Sequence, residues 1–160
     1  MPAFVEAIFI AAKGALPMQL VDCVDAVQHG GLCGDRYHMR TGYWTNVDEC
    51  EVTLINAEDL DRIHEETGIA VQNGEHRRNL VVRGIDVDTL LGMRFQINGV
   101  VMAGVRPRPP CGYIQKLTEP GMTKALARCG GICASVIEAG VIKVGDPVEV
   151  LLHEPEPVDS

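Results

Sequence analysis

The chain has 160 residues, of which 46% are hydrophobic and 22% charged, fractions typical of a globular domain that buries a sizeable core. Its formal net charge of −8 argues against nucleic acid as a partner, because nucleic-acid binders usually carry a basic balance. With 17 glycines and 9 prolines against 4% aromatic residues, the composition favours a turn-rich β protein over a helical bundle.

An apolar run from Phe4 to Ala12 comes first, and it predicts a strand over Phe4–Ile10. The run is shorter than the roughly 18 uncharged apolar residues of a membrane span. It also lacks the basic segment that opens a secretory signal. We therefore expect a cytoplasmic protein with no membrane contact, in which all six cysteines are reduced thiols.

The first half of the chain then alternates strands with one long loop. A second strand is predicted over Gln19–Val27, and a glycine-broken polar loop over Leu32–Cys50, a length that is often functional in a compact domain. A short strand, Glu51–Ile55, precedes a helix whose N-cap is Asn56 and whose C′ residue is Gly68. This is the clearest helix that the sequence predicts.

The second half is dominated by a hairpin signal. Asn98-Gly99 suits a type I′ turn and lies between the apolar runs Met93–Ile97 and Val100–Val105. The other predicted elements are a buried strand (Leu80–Val82), a short helix (Met122–Arg128), two strands (Cys133–Ile137 and Val148–Leu152) and a flexible acidic tail (153–160). Short strands with frequent turn signals predict one domain over residues 1–152, mainly β with a few short helices, built as a barrel or a sandwich.

A proline-rich stretch that ends in a thiol, Val105–Gly112, follows the hairpin. Its three prolines withhold backbone donors, so the stretch can neither extend a ladder nor begin a helix. Arg106 and Arg108 precede Cys111, and cationic neighbours favour the reactive thiolate. We therefore interpret Cys111 as a candidate catalytic thiol, the alternative being an inert buried cysteine.

Arginine is concentrated around this thiol. Six arginines and only two acids occur between Arg77 and Arg108, inside a chain of net negative charge. Guanidinium groups match phosphate and carboxylate oxygens bidentately. The run Arg77-Arg78-Asn79, with Arg106 and Arg108, therefore predicts an anion site beside Cys111, unless these arginines only pair with surface acids.

Two further patterns are weaker. A glycine-flanked loop presents Asp35 and Arg36, and a plain structural turn there remains open. Cys33, His38, Cys129 and Cys133 are also possible zinc ligands by residue type, but they lack the paired spacing of structural zinc sites.

The ordered motifs resemble those of the MOSC domain, named for the C-terminal part of molybdenum cofactor sulfurases. They are Gly31-Leu32-x-Gly34-Asp35-Arg36, Arg77-Arg78-Asn79-Leu80, Leu91-Gly92, Pro110-Cys111, Gly130-Gly131 and Gly140-x-Ile142-x-x-Gly145-Asp146. The chain looks like a small stand-alone bacterial-type member. One departure is Tyr37-His38-Met39, where the family more commonly has His-Ala-Gly.

The resemblance implies a closed β-barrel similar to the pyruvate kinase β-barrel domain. It also implies that Cys111 carries sulfur as a persulfide or ligates molybdenum, and that Arg77, Arg78, Asn79, Asp35, Arg36, Arg106 and Arg108 bind the anionic molybdopterin cofactor. A sulfur-transfer protein, served by a sulfur donor protein, and a reductase of N-hydroxylated compounds, served by an external electron donor, both remain open. The alternative is a non-catalytic module that binds another anion or small ligand.

Overall fold

The computed structural model describes residues 2–41, 50–110, 114 and 117–151. Within these ranges the chain is mainly β, as the sequence predicts. The strands are β1 (Phe4–Ile10), β2 (Gln19–Val21), β3 (Cys23–Val27), β4 (Gly31–Leu32), β5 (Val52–Asn56), β6 (Leu80–Arg83), β7 (Arg94–Ile97), β8 (Val100–Pro107), β9 (Ile132–Glu138), β10 (Gly140–Lys143) and β11 (Val148–Val150). The helices are α1 (Arg36–Met39), α2 (Ala57–Thr67), α3 (Met122–Ala125) and a 3₁₀ helix (Val87–Leu90).

Helix α2 begins and ends where the sequence predicts. Gly68 adopts φ +74° and donates its N–H to the His64 carbonyl, so a residue without a Cβ closes the last turn. Asn56 precedes the helix, but its side chain does not cap it. The Asn56 Oδ1 instead accepts from the Val87 N–H at 2.8 Å, which ties the end of β5 to the 3₁₀ helix.

The predicted hairpin is confirmed in β7 and β8. Asn98 and Gly99 both have positive φ, +51° and +83°, as a type I′ turn requires. Ile97 pairs with Val100 across the turn, and the strand after it continues to Pro107, two residues past the predicted end.

The prediction of a closed barrel is wrong. The described strands form two open sheets, one of eight strands in the order β11-β7-β8-β9-β5-β6-β1-β2 and one of three in the order β10-β3-β4. The two edges of the larger sheet, β11 and β2, are not joined by a ladder. Near β11 the chain meets β1 through an isolated bridge between Phe4 and Pro147 and through backbone hydrogen bonds that join Ala3 and Val5 to residues 145–148. These contacts do not form a ladder, and Pro147 has no N–H to donate to one.

The two faces of the larger sheet bury different cores, because successive side chains of a strand point to opposite faces. In β6, Leu80 and Val82 join one core together with Val24 and Ile142 of the smaller sheet. Val81, between them, joins the second core, which packs against the helices. The residues of α2 and α3 in that second core are Ala57, Leu60, Ile63 and Met122.

Strand pairing brings several chain segments together. Strand β1 ends beside the start of β6, with Ile8 opposite Leu80, and β8 ends beside the start of β9, with Pro107 opposite Ile132. Leu54 of β5 pairs with both Leu80 and Ile132, so the starts of β6 and β9 flank the same residue. The segments around Ala11, Asn79 and Arg108 are therefore neighbours in space. None of the helices in the described parts of the chain is long and apolar enough to cross a membrane.

A disulfide joins Cys50, just before β5, to Cys133 in the neighbouring strand β9. Their Cα atoms are 5.8 Å apart, inside the range that a disulfide needs. The expectation that all six cysteines are reduced is therefore wrong for these two, because strand pairing brings together thiols that are 83 residues apart in sequence.

Candidate functional site

Asp35 organises the loop that leads into α1. Its carboxylate is fully buried. One oxygen accepts from the Ala11 N–H at 3.1 Å and from the Arg36 Nη1 at 3.0 Å, while the other accepts from the Tyr37 N–H at 3.2 Å. Asp35 is thus the N-cap of α1, and it holds that helix against the end of β1.

Arg36 is the next residue, and its guanidinium is also buried. Besides Asp35, it donates through Nη2 to the Arg77 carbonyl at 3.0 Å. The guanidinium carbon lies 4.5 Å from the centroid of the Tyr37 ring, within the range of a cation–π contact. Arg36 therefore connects α1 with the segment that enters β6.

That segment is the predicted run Arg77-Arg78-Asn79, whose three side chains are buried. Arg77 has φ +61° and donates through Nη1 to the Leu16 carbonyl at 2.7 Å. Arg78 donates through Nε to the Gly130 carbonyl at 2.6 Å and through Nη2 to the Arg108 carbonyl at 3.0 Å. Arg78 thus joins the start of β6 to the connection between β8 and β9.

Asn79 bonds to the strands on both sides of it. Its Oδ1 accepts from the backbone N–H and the hydroxyl of Thr53, at 3.0 and 3.1 Å, and its Nδ2 donates to the Phe9 carbonyl at 3.1 Å. These bonds orient β1, β5 and β6 around the site. Contact of Asp35 and Asn79 with a ligand stays a prediction.

Arg108 brings the end of β8 to α1. Its backbone N–H donates to the Gly131 carbonyl at 2.8 Å, and its Nη2 donates to the Tyr37 hydroxyl at 3.2 Å. The Arg36 Nη2 approaches the same hydroxyl at 3.5 Å. Burial raises the pKa of Tyr37, but the charges of Arg36, Arg108 and Arg78 together lower it by more, so the net shift is downward. The Tyr37 hydroxyl thus accepts from two arginines and feels the charge of a third, Arg78.

The structure therefore brings Arg36, Arg78 and Arg108 together around Tyr37, and we call these four residues the arginine–tyrosine cluster. The arginines were predicted for an anion site, whereas Tyr37 was not. The only sequence signal for Tyr37 is its place directly after Asp35-Arg36. Its contact with Arg108, 71 residues away, is not visible in the sequence.

Other predicted residues lie elsewhere or are not described. Arg83, at the far end of β6, binds Glu6 and Asp61 at the surface, so this arginine pairs with surface acids instead of contributing to an anion site. Arg106 is half-buried on β8, opposite Cys133. Cys111 lies outside the described residues, as does the predicted tail, 153–160.

The remaining thiols fall into two groups. Cys23 and Cys33 are exposed, and Cys129 is half-buried near α2. Burial is the largest influence on Cys129 and, with the nearby Asp59, raises the pKa of its thiol despite the opposing charge of Arg62. This disfavours a thiolate at Cys129. Among the described residues no three His, Cys, Asp or Glu side chains are grouped so that they could hold a metal ion.

An open acidic depression lies where β5 and β6 end. Its lining is Asn56, Glu58, Asp59, Gly84, Ile85 and Asp86. Burial, followed by the charges of Asp86 and Asp59, raises the pKa of the adjacent Asp88. Acidic side chains are therefore concentrated after the end of β6, whereas Arg78 of the arginine–tyrosine cluster precedes its start.

Comparisons with known proteins agree with this architecture. The family model of the MOSC domain matches residues 27–149. The YUAD protein from Bacillus subtilis is similar in structure, with a TM-score of 0.71 at 22% identity over 94% of this chain and 96% of that one. YiiM from Geobacillus stearothermophilus gives a TM-score of 0.71 at 18% identity, over 94% of this chain and 75% of that one.

YiiM from Escherichia coli is also similar, with a TM-score of 0.65 at 18% identity over 97% of this chain and 71% of that one. At these identities the structural likeness shows a shared fold. A comparison with curated proteins found no match.

Proposed function

The chain belongs to the MOSC domain family, which is associated with molybdenum cofactor binding, and on that premise we propose that it binds the cofactor through the arginine–tyrosine cluster. In this proposal Cys111 is the sulfur that ligates molybdenum or carries a persulfide. The observation that carries the proposal is that Arg36 and Arg108 both donate to the Tyr37 hydroxyl, while the charge of Arg78 also lowers the pKa of that group.

The cluster fits the anionic end of a pterin cofactor. A pterin phosphate offers several acceptor oxygens and negative charge, and guanidinium groups supply several fixed donors and positive charge. Arg36, Arg78 and Arg108 would hold the phosphate, with Arg77 and Arg106 beside them. Hydrogen bonds to backbone carbonyls preorganise Arg36 and Arg78, so binding orders few side-chain torsions.

The thiol follows Arg108 by three residues in the chain. A thiolate there is the chemical form that ligates metal or attacks sulfur, and nearby guanidinium charge favours it. The bound cofactor would supply molybdenum as the redox-active centre. Two activities remain within this proposal: sulfur transfer from a donor protein, and reduction of N-hydroxylated compounds with electrons from an external donor.

A test of the proposal compares the wild type with Arg108→Gln and Cys111→Ser, all purified from a host supplied with molybdate. We expect molybdenum and pterin in the wild type. We expect Arg108→Gln to weaken cofactor binding by about 1.5–3 kcal/mol, the scale of a hydrogen bond to a charged group. The matched control is Arg83→Gln, because Arg83 binds Glu6 and Asp61 at the other end of β6.

Metal content and peptide mass separate the possible results. If Cys111 ligates molybdenum, Cys111→Ser loses the metal but keeps the pterin; if it carries sulfur, the wild-type Cys111 peptide gains the mass of one sulfur atom after incubation with a sulfur donor. A wild type that takes up neither pterin nor molybdenum would contradict the proposal and leave the second candidate, a module for another anion.

A further inference from the structure

The Tyr37 hydroxyl has two hydrogen-bond partners among the described residues, and both are donors. Arg108 Nη2 donates to it at 3.2 Å and Arg36 Nη2 at 3.5 Å. A phenol oxygen accepts hydrogen bonds and also carries one hydrogen of its own to donate. Within the described parts of the chain no acceptor receives that hydrogen. Among the described residues the Tyr37 O–H is therefore a donor without an acceptor, at the centre of the cluster.

The other polar groups of this region bond to the protein itself. The Asp35 carboxylate accepts three hydrogen bonds, and the Asn79 side chain bonds to Thr53 and Phe9. Arg78 donates to two backbone carbonyls. Asp35 and Asn79 therefore hold the surrounding segments in place. The Tyr37 phenol is also fixed in position, but it still has a hydrogen to donate.

The surroundings also strengthen the phenol as a donor. Its ring lies under the Arg36 guanidinium, at 4.5 Å from the centroid, and within 5.9 Å of the Arg108 guanidinium. The positive charge of these two groups withdraws electron density from the oxygen and stabilises partial negative charge on it. The downward pKa shift of Tyr37 agrees with this. A donor of this kind bonds well to an anionic oxygen.

We propose that Tyr37 is a recognition residue whose hydroxyl donates a hydrogen bond to a phosphate oxygen held by Arg36, Arg78 and Arg108. This inference rests on the proposed function, and it names the phosphate group as the part of the ligand that the cluster recognises. The neutral phenol donor complements the guanidinium groups, because it directs one hydrogen bond without adding charge.

Phosphate binding tests the inference without any enzymatic assay. Inorganic phosphate is titrated calorimetrically into the wild type and Tyr37→Phe, with chloride holding the ionic strength constant. We expect the wild type to bind and Tyr37→Phe, which keeps the ring under Arg36, to bind about tenfold more weakly or worse. The hydroxyl-deletion control is Thr89→Val, because the Thr89 hydroxyl bonds to the Asp86 carbonyl beside the acidic depression.

A spectroscopic readout separates recognition from a purely structural role. Tyrosinate absorbance is followed against pH for the wild type, and the Tyr37 contribution is obtained by subtracting the Tyr37→Phe curve. If the hydroxyl donates to phosphate, phosphate raises the pKa of Tyr37, since deprotonation would place two negative charges side by side. A hydroxyl that only bridges Arg36 and Arg108 beyond the reach of phosphate would titrate unchanged.

The outcomes distinguish the two levels of inference. If the wild type binds phosphate and Tyr37→Phe binds it equally well, Tyr37 is not a recognition residue and the proposed function stands. If phosphate binds but leaves the Tyr37 titration where it was, the hydrogen bond is absent and the recognition role is equally overturned. If the wild type binds neither phosphate nor the pterin cofactor, both inferences are wrong.

Discussion

His76 is a neutral side chain held among cationic ones. It is fully buried and meets Phe9 edge to face, with ring centroids 5.2 Å apart. Its Nδ1 accepts from the Arg78 N–H at 2.8 Å, which assigns the ring proton to Nε2. Burial, followed by the charges of Arg78, Arg77 and Arg36, lowers the pKa of His76 to about 3.

This shift predicts acid sensitivity of the folded state. In the unfolded chain His76 titrates near its ordinary pKa of 6.5, whereas in the native state it titrates at about 3. Between these two pH values the unfolded state binds more protons than the native state. The contribution of His76 to the free energy of unfolding is therefore complete above pH 6.5 and declines as the pH falls toward 3. From this residue we expect a slope approaching about 1.4 kcal/mol per pH unit within that window.

Denaturant unfolding at a series of pH values checks the slope. His76→Gln should show a flatter dependence on pH than the wild type, because the titrating group is gone. His64→Gln is the control for replacing a histidine, since His64 is exposed on α2. Equal slopes for the wild type and His76→Gln would rule out this role.

Residue identities in the site were partly predictable. Arg78 and Arg108 were candidates because arginine beside a thiol indicates an anion site, and Arg36 was a candidate because its glycine-flanked loop matches a motif of the family. Tyr37 was missed because its significance comes from Arg108, which only the fold brings to it. The backbone bonds of Asp35 and Asn79 were equally invisible, since each depends on a partner more than 20 residues away.

At the scale of elements, local signals predicted well and non-local ones did not. Gly68 and Asn98-Gly99 lie at the predicted boundaries because their positive φ is a local requirement. The predicted strand Gln19–Val27 is divided between two sheets, β2 and β3, which no local pattern indicates. The open sheet and the Cys50–Cys133 pair also depend on how distant strands meet.

The connection between β8 and β9 offers a prediction at this scale. Gly131 has φ +90°, and a Cβ there would collide with the Leu54 carbonyl oxygen. We expect Gly131→Ala to lose about 1–2 kcal/mol for the left-handed backbone and roughly 1–3 kcal/mol more for the collision. It should also weaken phosphate binding, because the Gly131 carbonyl accepts from the Arg108 N–H.

Gly145→Ala is the matched control for Gly131→Ala. Gly145 has a similar φ of +96°, but nothing lies within 4 Å of an added Cβ. Gly145→Ala should therefore lose only the stability that the left-handed backbone costs, about 1–2 kcal/mol, and should bind phosphate as the wild type does. Urea unfolding and calorimetry measure both effects, and equal losses in the two variants would show that the Leu54 carbonyl does not confine Gly131.

At the scale of the whole molecule, the Cys50–Cys133 disulfide links parts of the chain 83 residues apart. Such a link removes entropy from the unfolded chain, and its loss typically costs about 2–5 kcal/mol. We therefore expect dithiothreitol to lower the free energy of unfolding of the wild type by an amount in that range.

The double variant Cys50→Ser/Cys133→Ser is the control for this effect. It should be less stable than the oxidised wild type and insensitive to dithiothreitol, because the exposed thiols Cys23 and Cys33 are free in both proteins. Intact mass under non-reducing conditions reports the bond directly. If dithiothreitol shifts both proteins equally, the disulfide contributes nothing to stability.

Charge is separated along β6, with acidic side chains after its end and the arginines of the cluster near its start. Its net charge of −8 repels an anion at long range. Inside a Debye length of roughly 8–10 Å that repulsion gives way to the local field of the guanidinium groups, which turns the ligand toward the arginine end. Added salt then screens the long-range repulsion between the protein and the anion before it weakens the hydrogen bonds at the site. On the proposed function we therefore expect anion binding by this acidic protein to become faster as ionic strength first rises, whereas a cationic protein would bind the anion more slowly.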